Sequence, residues 1–205
     1  MKENGFEYVD LGFPSGTMWA TCNVGAETPE DWGLLFQFGR VDGYEYGDNN
    51  NQFRTNKQNK QDTGSKDIPL TTSGKVYNTG DILDLEDDAA YINMGGKWRM
   101  PTKDELEELT NYTTYEVETI NGVKGMMFTS KINRNKLFIP FAGWWYNNSF
   151  LWAGSCGYMW SSQVYDYNIN GAYRFFVHVA PMLTILVVQV FILYVVYLKN
   201  NFIKN

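Results

Sequence analysis

Residues 138–176 form an aromatic-rich stretch that holds few of the aliphatic residues from which ordinary cores are built. Tryptophan and tyrosine recur there among glycine, asparagine and serine. Tyrosine and tryptophan offer a large, rigid contact area with a polar tip, and the small polar residues offer adaptable hydrogen bonding. This composition is typical of a recognition surface carried by loops. It indicates a chain that binds a ligand and does not convert one.

The composition of the whole chain narrows the fold class and the partners. The 205 residues suit one domain with an insertion, which is large enough to bury a core. The aromatic share of 17% and the 19 glycines favour a β-rich, loop-rich fold. The net charge of −6 and the pI of about 4.8 argue against a nucleic-acid partner, because such a partner requires a basic face.

Alternating segments bounded by turn residues predict the strands of this domain. Between them, residues 32–38 are apolar and are expected to pack into the core, while residues 42–80 are polar and predict a long surface insertion. Strands are expected at 6–10 and 17–21, in a hairpin of 125–131 and 136–140 joined by 132–135, and at 159–162 and 172–179.

The pattern also predicts a first helix over residues 83–94. Gly95 and Gly96 then supply its stop. Acidic residues in a first turn complement the helix dipole, and this explains the acidic cluster better than a catalytic pair does. The cluster consists of Asp84, Glu86, Asp87 and Asp88.

A second helix begins at a capping box. Thr102 is the expected N-cap, and Glu105 stands three residues later, where its side chain can return to the N-cap amide. Leu106 and Leu109 then share one face, which predicts that they point into the core.

The chain shows no catalytic constellation. His178 is the only histidine, and it lies in the strand-like run 174–179, where a structural role is expected. No CxxC, HExxH or phosphate-binding glycine motif is present. A glycosidase-like carboxylate pair stays open as an alternative, because acidic residues are plentiful and no spacing selects two of them. We therefore predict no catalytic residue and no cofactor.

For two further features we expect a structural explanation and not a functional one. Cys22 and Cys156 are expected to be unpaired thiols, with a disulfide between them as the less favoured alternative. Cys156 lies in a Gly–Ser turn, and it would react only if exposed. The run 48–51 carries oxygen ligands that suit calcium, but it lacks the spacing of a known loop, so a solvated loop without metal is predicted.

Four ordered motifs carry a resemblance to a known family. They are YVDLGFPSGTMWATCNVGA at 8–26, EDDAAYINMGGKWRMPTKDELEEL at 86–109, IPFAGWW at 139–145 and GYMWSS at 157–162. Through them the chain resembles the Fibrobacter succinogenes major paralogous domain family of gut Bacteroidetes. The likeness runs from about residue 8 to residue 179 and is interrupted by the insertion.

The resemblance implies an α+β, C-type-lectin-like fold with two helices, a small twisted antiparallel sheet and long loops. This fold is shared with the formylglycine-generating enzyme and with the variable proteins of diversity-generating retroelements. The paired active-site cysteines of that enzyme have no counterpart here, so catalysis does not carry over. The Glu-Pro-Asn and Trp-Asn-Asp motifs of true C-type lectins are absent as well. The implied scaffold residues are Trp98, Arg99, Pro101 and Trp160, with the loops 144–158 and 163–173 as the ligand face.

The expected function is ligand binding or adhesion, with an unidentified glycan or protein as the partner. The alternatives are an enzyme distantly related to the formylglycine-generating fold and a purely structural module. The resemblance implies a location at the cell surface or membrane, although residues 1–12 lack the apolar region of a secretory signal peptide. The candidate ligand-binding residues are Trp144, Trp145, Tyr146, Asn147, Asn148, Phe150, Trp152, Tyr165, Tyr167, Asn168, Asn170 and Tyr173.

The character of the chain changes after residue 181, where the expected domain of residues 1–181 ends. Residues 182–198 are apolar except for Thr184 and Gln189, and a short polar tail follows at 199–205. One interpretation is a transmembrane helix, through which the chain would contact a membrane. The length of this segment is at the short limit of the roughly 17–25 residues that a span requires. Another is a core strand, because the segment contains β-branched runs.

A third interpretation of this segment is a C-terminus translated in a shifted reading frame. Codons allowed for residues 182–201 can be chosen so that the shifted frame reads VDNTSSSGLYPLRCVSEK and then stops. That peptide supplies the polar loop and the Arg-Cys-Val ending that the resemblance leads us to expect. It would also supply a disulfide partner for Cys22.

Overall fold

The computed structural model of the chain describes residues 1–44, 71–146, 149–167, 169, 171–179, 183–188 and 195–199. For residues 145, 146, 149, 183–188 and 195–199 it gives the backbone alone. The helices are α1 (Ala89–Met94) and α2 (Lys103–Asn111). The strands are β1 (Lys2–Glu3), β2 (Phe6–Asp10), β3 (Thr17–Asn23), β4 (Trp98–Arg99), β5 (Thr113–Ile120), β6 (Val123–Ser130), β7 (Lys136–Pro140), β8 (Trp144–Tyr146), β9 (Ser149–Leu151), β10 (Cys156–Val164), β11 (Ala172–His178), β12 (Leu183–Val188) and β13 (Val195–Lys199).

The strands pair into small antiparallel sheets. One has five strands in the order β1-β2-β3-β13-β4, two have three strands in the orders β5-β6-β7 and β10-β11-β12, and β8 pairs with β9. The described part of the chain is therefore α+β with few helices, as the sequence predicts. The predicted strands at 6–10, 17–21, 159–162 and 172–179 are confirmed, as is the hairpin that β6 and β7 form.

The segment predicted as the first helix begins later than expected. A single 3-10 turn, Leu85–Asp87, precedes α1. Asp87 and Asp88 are buried and act as hydrogen-bond acceptors, so Asp84 and Glu86 are the exposed members of the predicted acidic cluster. Asp88 is the N-cap of α1 and accepts the amide of Met100 at 2.9 Å. The predicted stop is confirmed, since Gly95 is the C-cap with φ of 62°.

The capping box of α2 is confirmed, and it connects this helix to β4. Thr102 accepts the amide of Glu105, and the Glu105 carboxylate accepts the amide of Thr102 at 2.9 Å. The same carboxylate accepts two hydrogen bonds from Arg99, at 2.7 and 3.0 Å. Leu106 and Leu109 are fully buried, as their spacing predicts.

The end of the predicted insertion belongs to the core. Residues 45–70 lie outside the described part of the chain, and the run 48–51 lies there with them. Tyr77 is buried, and its hydroxyl donates to Asp87 at 2.7 Å. Burial and this bond to a carboxylate raise the pKa of Tyr77. The surface insertion therefore ends before Tyr77 and does not extend to residue 80 as predicted.

The described parts of the apolar C-terminal segment, residues 183–188 and 195–198, lie in two strands. β12 extends the sheet of β10 and β11, with Ile185 opposite Phe175. β13 is an interior strand of the five-stranded sheet, with Val195 opposite Asn23 and Leu198 opposite Trp98. Among the described residues, none of the helices has the length and apolar character needed to cross a membrane.

Candidate functional site

At the base of the hairpin of β8 and β9, the backbone of Gly143 lies close to the backbones of Leu151 and Cys156. Gly143 has φ of 72°, and its amide donates to the carbonyl of Cys156 at 2.7 Å. A Cβ atom at this position would lie 2.5 Å from the carbonyl oxygen of Leu151. Only glycine meets both conditions, so a backbone hydrogen bond at this glycine joins the base of the hairpin to the start of β10.

Four aromatic side chains lie together where this hairpin meets the outer part of β10 and β11, and we call them the first aromatic group. It consists of Trp144, Trp152, Tyr158 and Phe176. The ring of Trp144 lies 5.7 Å from that of Trp152 and 5.4 Å from that of Tyr158. Tyr158 in turn lies 4.8 Å from Phe176 on the neighbouring strand. These separations are those of favourable aromatic pairs, so the group is a packed unit.

Trp152 is the exposed member of the first aromatic group and has an unusual backbone. Its side chain is 57% exposed, and its φ is 60°, in the left-handed region that bulky residues rarely adopt. The amides of Ser155 and Cys156 both donate to its carbonyl, at 3.0 and 3.1 Å, which holds the turn in place. Strained conformations of this kind are retained where the surroundings fix them, and they cluster at functional sites.

Arg174 lies beneath the first aromatic group. Only 6% of the residue is exposed, and its guanidinium carbon lies 4.5 Å from the ring centre of Tyr158 and 5.8 Å from that of Trp144. Its Nε and Nη1 are buried without a hydrogen-bond partner among the described residues. Burial lowers the pKa of Arg174. The signal for this residue in the sequence is a single arginine within an otherwise apolar and aromatic strand.

Three tyrosines form a second aromatic group, at the other end of β10 and β11. They are Tyr165, Tyr167 and Tyr173, with Tyr165 lying 5.4 Å from Tyr167 and 5.2 Å from Tyr173. Tyr167 is 84% exposed, whereas Tyr173 is buried and its hydroxyl donates to Asp166 at 2.5 Å. Burial and this hydrogen bond raise the pKa of Tyr173 to about 12.

The structure therefore divides the candidate ligand-binding residues. Tyr158 lies near the start of β10, whereas Tyr165 follows its last residue, Val164. On β11 the groups come closer, because Tyr173 and Phe176 are three residues apart, about 10 Å along an extended strand. Phe150 belongs to neither group and stacks on Trp32 at 6.2 Å. Trp145 and Tyr146 lie on β8, which is described there by its backbone. Four predicted residues, Asn147, Asn148, Asn168 and Asn170, lie outside the described part of the chain.

Both cysteines are free thiols, as expected. Cys156 is fully buried at the start of β10, so it is not the exposed thiol that its Gly–Ser context allows. Burial raises its pKa to about 11. The thiolate is the reactive form of cysteine, so Cys156 is chemically inert near neutral pH. His178 is half-buried, and its ring lies 5.8 Å from that of Phe176.

We expect a thiol reagent such as 5,5′-dithiobis(2-nitrobenzoate) at pH 7.5 to label Cys22 and to spare Cys156 in the folded chain. Burial raises the pKa of both thiols, so their difference in reactivity comes from access: Cys22 is half-exposed, whereas Cys156 is buried. Denaturant should release the second thiol. A Cys22→Ser variant, whose folded form should react hardly at all, is the control. Rapid labelling of Cys156 in that variant would contradict the burial.

A separate cavity of about 570 Å³ lies beside the N-terminal turns of α2. Its lining includes the carboxylates of Asp104, Glu105 and Glu108. Two of these already have structural partners, because Glu105 is bonded to Arg99 and Glu108 accepts from the Ser15 hydroxyl and amide. Among the described residues, no cluster of three or more histidine, cysteine or acidic side chains is placed to hold a metal ion.

The residues that the resemblance implies as scaffold are placed in the interior. Trp98, Pro101 and Trp160 are buried, and Arg99 is held by Glu105. Buried residues of these types occur in many folds, so their burial shows only that they pack in the interior. Comparisons of the chain with protein-family models, with curated proteins and with solved structures found no match.

Proposed function

We propose that the chain is a non-catalytic ligand-binding or adhesion domain of a bacterial surface protein, with a C-type-lectin-like fold. The observation that carries this proposal is Trp152, a large aromatic side chain that is exposed in a strained backbone conformation. Its ring packs on Trp144, which in turn packs on the sheet. A rigid, exposed aromatic loses little conformational entropy on binding, so it is suited to anchor a ligand.

The chemistry of this anchor favours a ligand with flat apolar faces and polar edges, such as a glycan. The rings of Trp152 and Trp144 supply apolar area, and the indole group of the exposed Trp152 can donate a hydrogen bond. Anchors of this type carry a large share of binding energy, at about 2 kcal/mol or more per side chain. The surface location, and a membrane contact through residues 182–198, belong to the same proposal.

The test is a glycan array probed with the purified full chain and with a Trp152→Gly variant. Glycine is favoured at φ of 60°, so the variant should keep its free energy of unfolding within about 1 kcal/mol of the parent chain. We expect it to lose bound glycans or to weaken them at least tenfold. Tyr115→Ala, which removes an exposed ring on β5, is the matched control and should bind normally.

The array also separates the proposal from its rivals. Unchanged binding by Trp152→Gly would rule out the first aromatic group as the binding surface. An array without any bound glycan would favour a structural module or a protein ligand.

A second candidate function, an enzyme, is favoured by the cavity beside α2 with its three carboxylates. Glu105 and Glu108 are held by Arg99 and Ser15, so Asp104 is the carboxylate on which such an activity would most depend. Hydrolysis of array glycans that Asp104→Asn abolishes would establish this function. Hydrolysis that survives in Asp104→Asn would place a catalytic centre elsewhere.

A further inference from the structure

Arg174 is a buried cation with no carboxylate partner among the described residues. The described ion pairs do not include it, and its Nε and Nη1 have neither solvent nor a hydrogen-bond partner. A buried charge is costly unless it is paired and hydrogen-bonded. The rings of Tyr158 and Trp144 offset part of this cost through cation–π contacts. They do not satisfy the in-plane N–H donors at Nε and Nη1.

The geometry points to a carboxylate subsite at Arg174, in which a carboxylate-bearing sugar, such as a hexuronic acid of an acidic glycan, binds beside the first aromatic group. A guanidinium presents a planar fork of donors that matches a carboxylate with two parallel hydrogen bonds. Nε and Nη1 have no solvent-accessible surface in the unliganded chain, so binding requires the side chains that enclose them to move. The inference rests on the proposed function and names its ligand class. It goes beyond that proposal in assigning the specificity to Arg174.

The surroundings of Arg174 favour a sugar acid over other acids. The rings of Trp144 and Trp152 continue outward from Arg174, and the exposed fraction rises along that line from 6% at Arg174 to 57% at Trp152. A ligand that follows this line has its acidic group at the buried end and an apolar face against the indole rings. That arrangement matches a sugar ring with a carboxylate at one carbon.

The negative charge of the whole chain does not oppose this binding. The net charge is −6, but exposed charges are screened over about 8 Å at physiological ionic strength. Among the described residues, the titratable groups that act on Arg174 are Tyr158 and Cys156, whose pKa values are raised by burial, so both are neutral near pH 7. The cation is therefore the dominant charge at this position.

The test compares glucuronic acid with glucose, which differ only in the carboxylate, by isothermal titration calorimetry on the full chain. We expect glucuronate to bind about 10- to 100-fold more tightly than glucose, as one charge-assisted hydrogen-bonded pair predicts. In Arg174→Met this preference should vanish. Arg174→Lys, which keeps the charge and loses the fork, should retain part of it.

Thermal unfolding without ligand distinguishes a binding role of Arg174 from a purely structural one. Arg174→Met should melt at or above the temperature of the parent chain, because it removes an unpaired buried charge and fills the same space. Lower melting together with unchanged preference for glucuronate would overturn the inference. So would equal binding of both sugars, or binding of an acidic peptide with no binding of glucuronate.

The outcomes for the subsite and for the proposed function are distinguishable. If Trp152→Gly abolishes binding of neutral glycans while Arg174→Met leaves it intact and glucuronate is not preferred, the binding function stands and the carboxylate subsite fails. If glucuronate protects the parent chain against thermal unfolding but Trp152→Gly binds every array glycan normally, the subsite stands apart from the proposed anchor.

Discussion

Replacing Trp160 by alanine is expected to lower the free energy of unfolding by about 3–5 kcal/mol, the usual cost of removing a large aromatic side chain from a core. Trp160 is almost fully buried, and its indole nitrogen donates to the carbonyl of Phe36 at 3.3 Å. Its ring also packs edge-on against Phe38 at 5.7 Å. The residue therefore joins β10 to the loop of residues 32–38, and its loss leaves a cavity and removes this hydrogen bond.

Urea denaturation monitored by circular dichroism measures this effect. Trp160→Phe keeps most of the ring packing and loses the hydrogen bond, so a smaller loss is expected. Trp152→Gly is the matched control, because it removes a tryptophan that is exposed and should change stability little. If Trp160→Ala and Trp152→Gly unfold at the same urea concentration, the core position of Trp160 is contradicted.

A chain that carries the shifted-frame C-terminus is expected to be more soluble and to melt at a higher temperature than the chain as written. In the shifted frame, the cysteine codon is made of nucleotides from the codons of residues 195 and 196. β13 pairs Val195 with Asn23, which is the residue after Cys22. Neighbouring antiparallel strands place opposed Cα atoms about 4.5–5.5 Å apart, within the range that a disulfide requires.

Under oxidising conditions this disulfide would contribute about 2–4 kcal/mol, and the polar shifted-frame segment would replace a strongly apolar one. Differential scanning calorimetry and the soluble fraction after expression measure the two effects. Cys22→Ser in the shifted-frame chain should remove the thermal gain and leave the solubility gain. Equal solubility and melting of the two chains would count against the shifted frame. A nucleotide sequence with an early stop in that frame, or without the Arg-Cys codons, would exclude it.

Most local elements of the fold can be predicted from the sequence, because local signals specify them. The capping box of Thr102 and Glu105 fixes the start of α2, and Gly95 ends α1. The unpredicted strand β5 carries such a signal too, since Thr, Tyr and Val alternate with Glu along it. The first helix is shorter than predicted because Asp87 and Asp88 are used as buried acceptors by groups distant in the chain, such as Tyr77 and Met100.

The candidate site is predicted less completely, because the sequence gives residue types but not the end of the sheet at which each one lies. Tyr165 and Trp152 belong to one aromatic stretch of the sequence, yet they lie in groups at opposite ends of β10. Tyr173 is buried, whereas Tyr167 is exposed, although both lie in the same aromatic, asparagine-containing part of the sequence. Arg174 is absent from the sequence-based candidates because burial between two strands is a property of pairing and not of local sequence.

The sequence by itself determined the α+β class, the second helix, the main strands and the aromatic composition of residues 138–176. Periodicity, caps and turn residues act over a few neighbouring positions, so they can be interpreted without tertiary contacts. Only the tertiary structure decided which aromatics are exposed, that Trp152 is held in a left-handed conformation, and that Arg174 lies buried against Tyr158 and Trp144. These properties depend on contacts between segments that are distant in the chain, and no local pattern contains them.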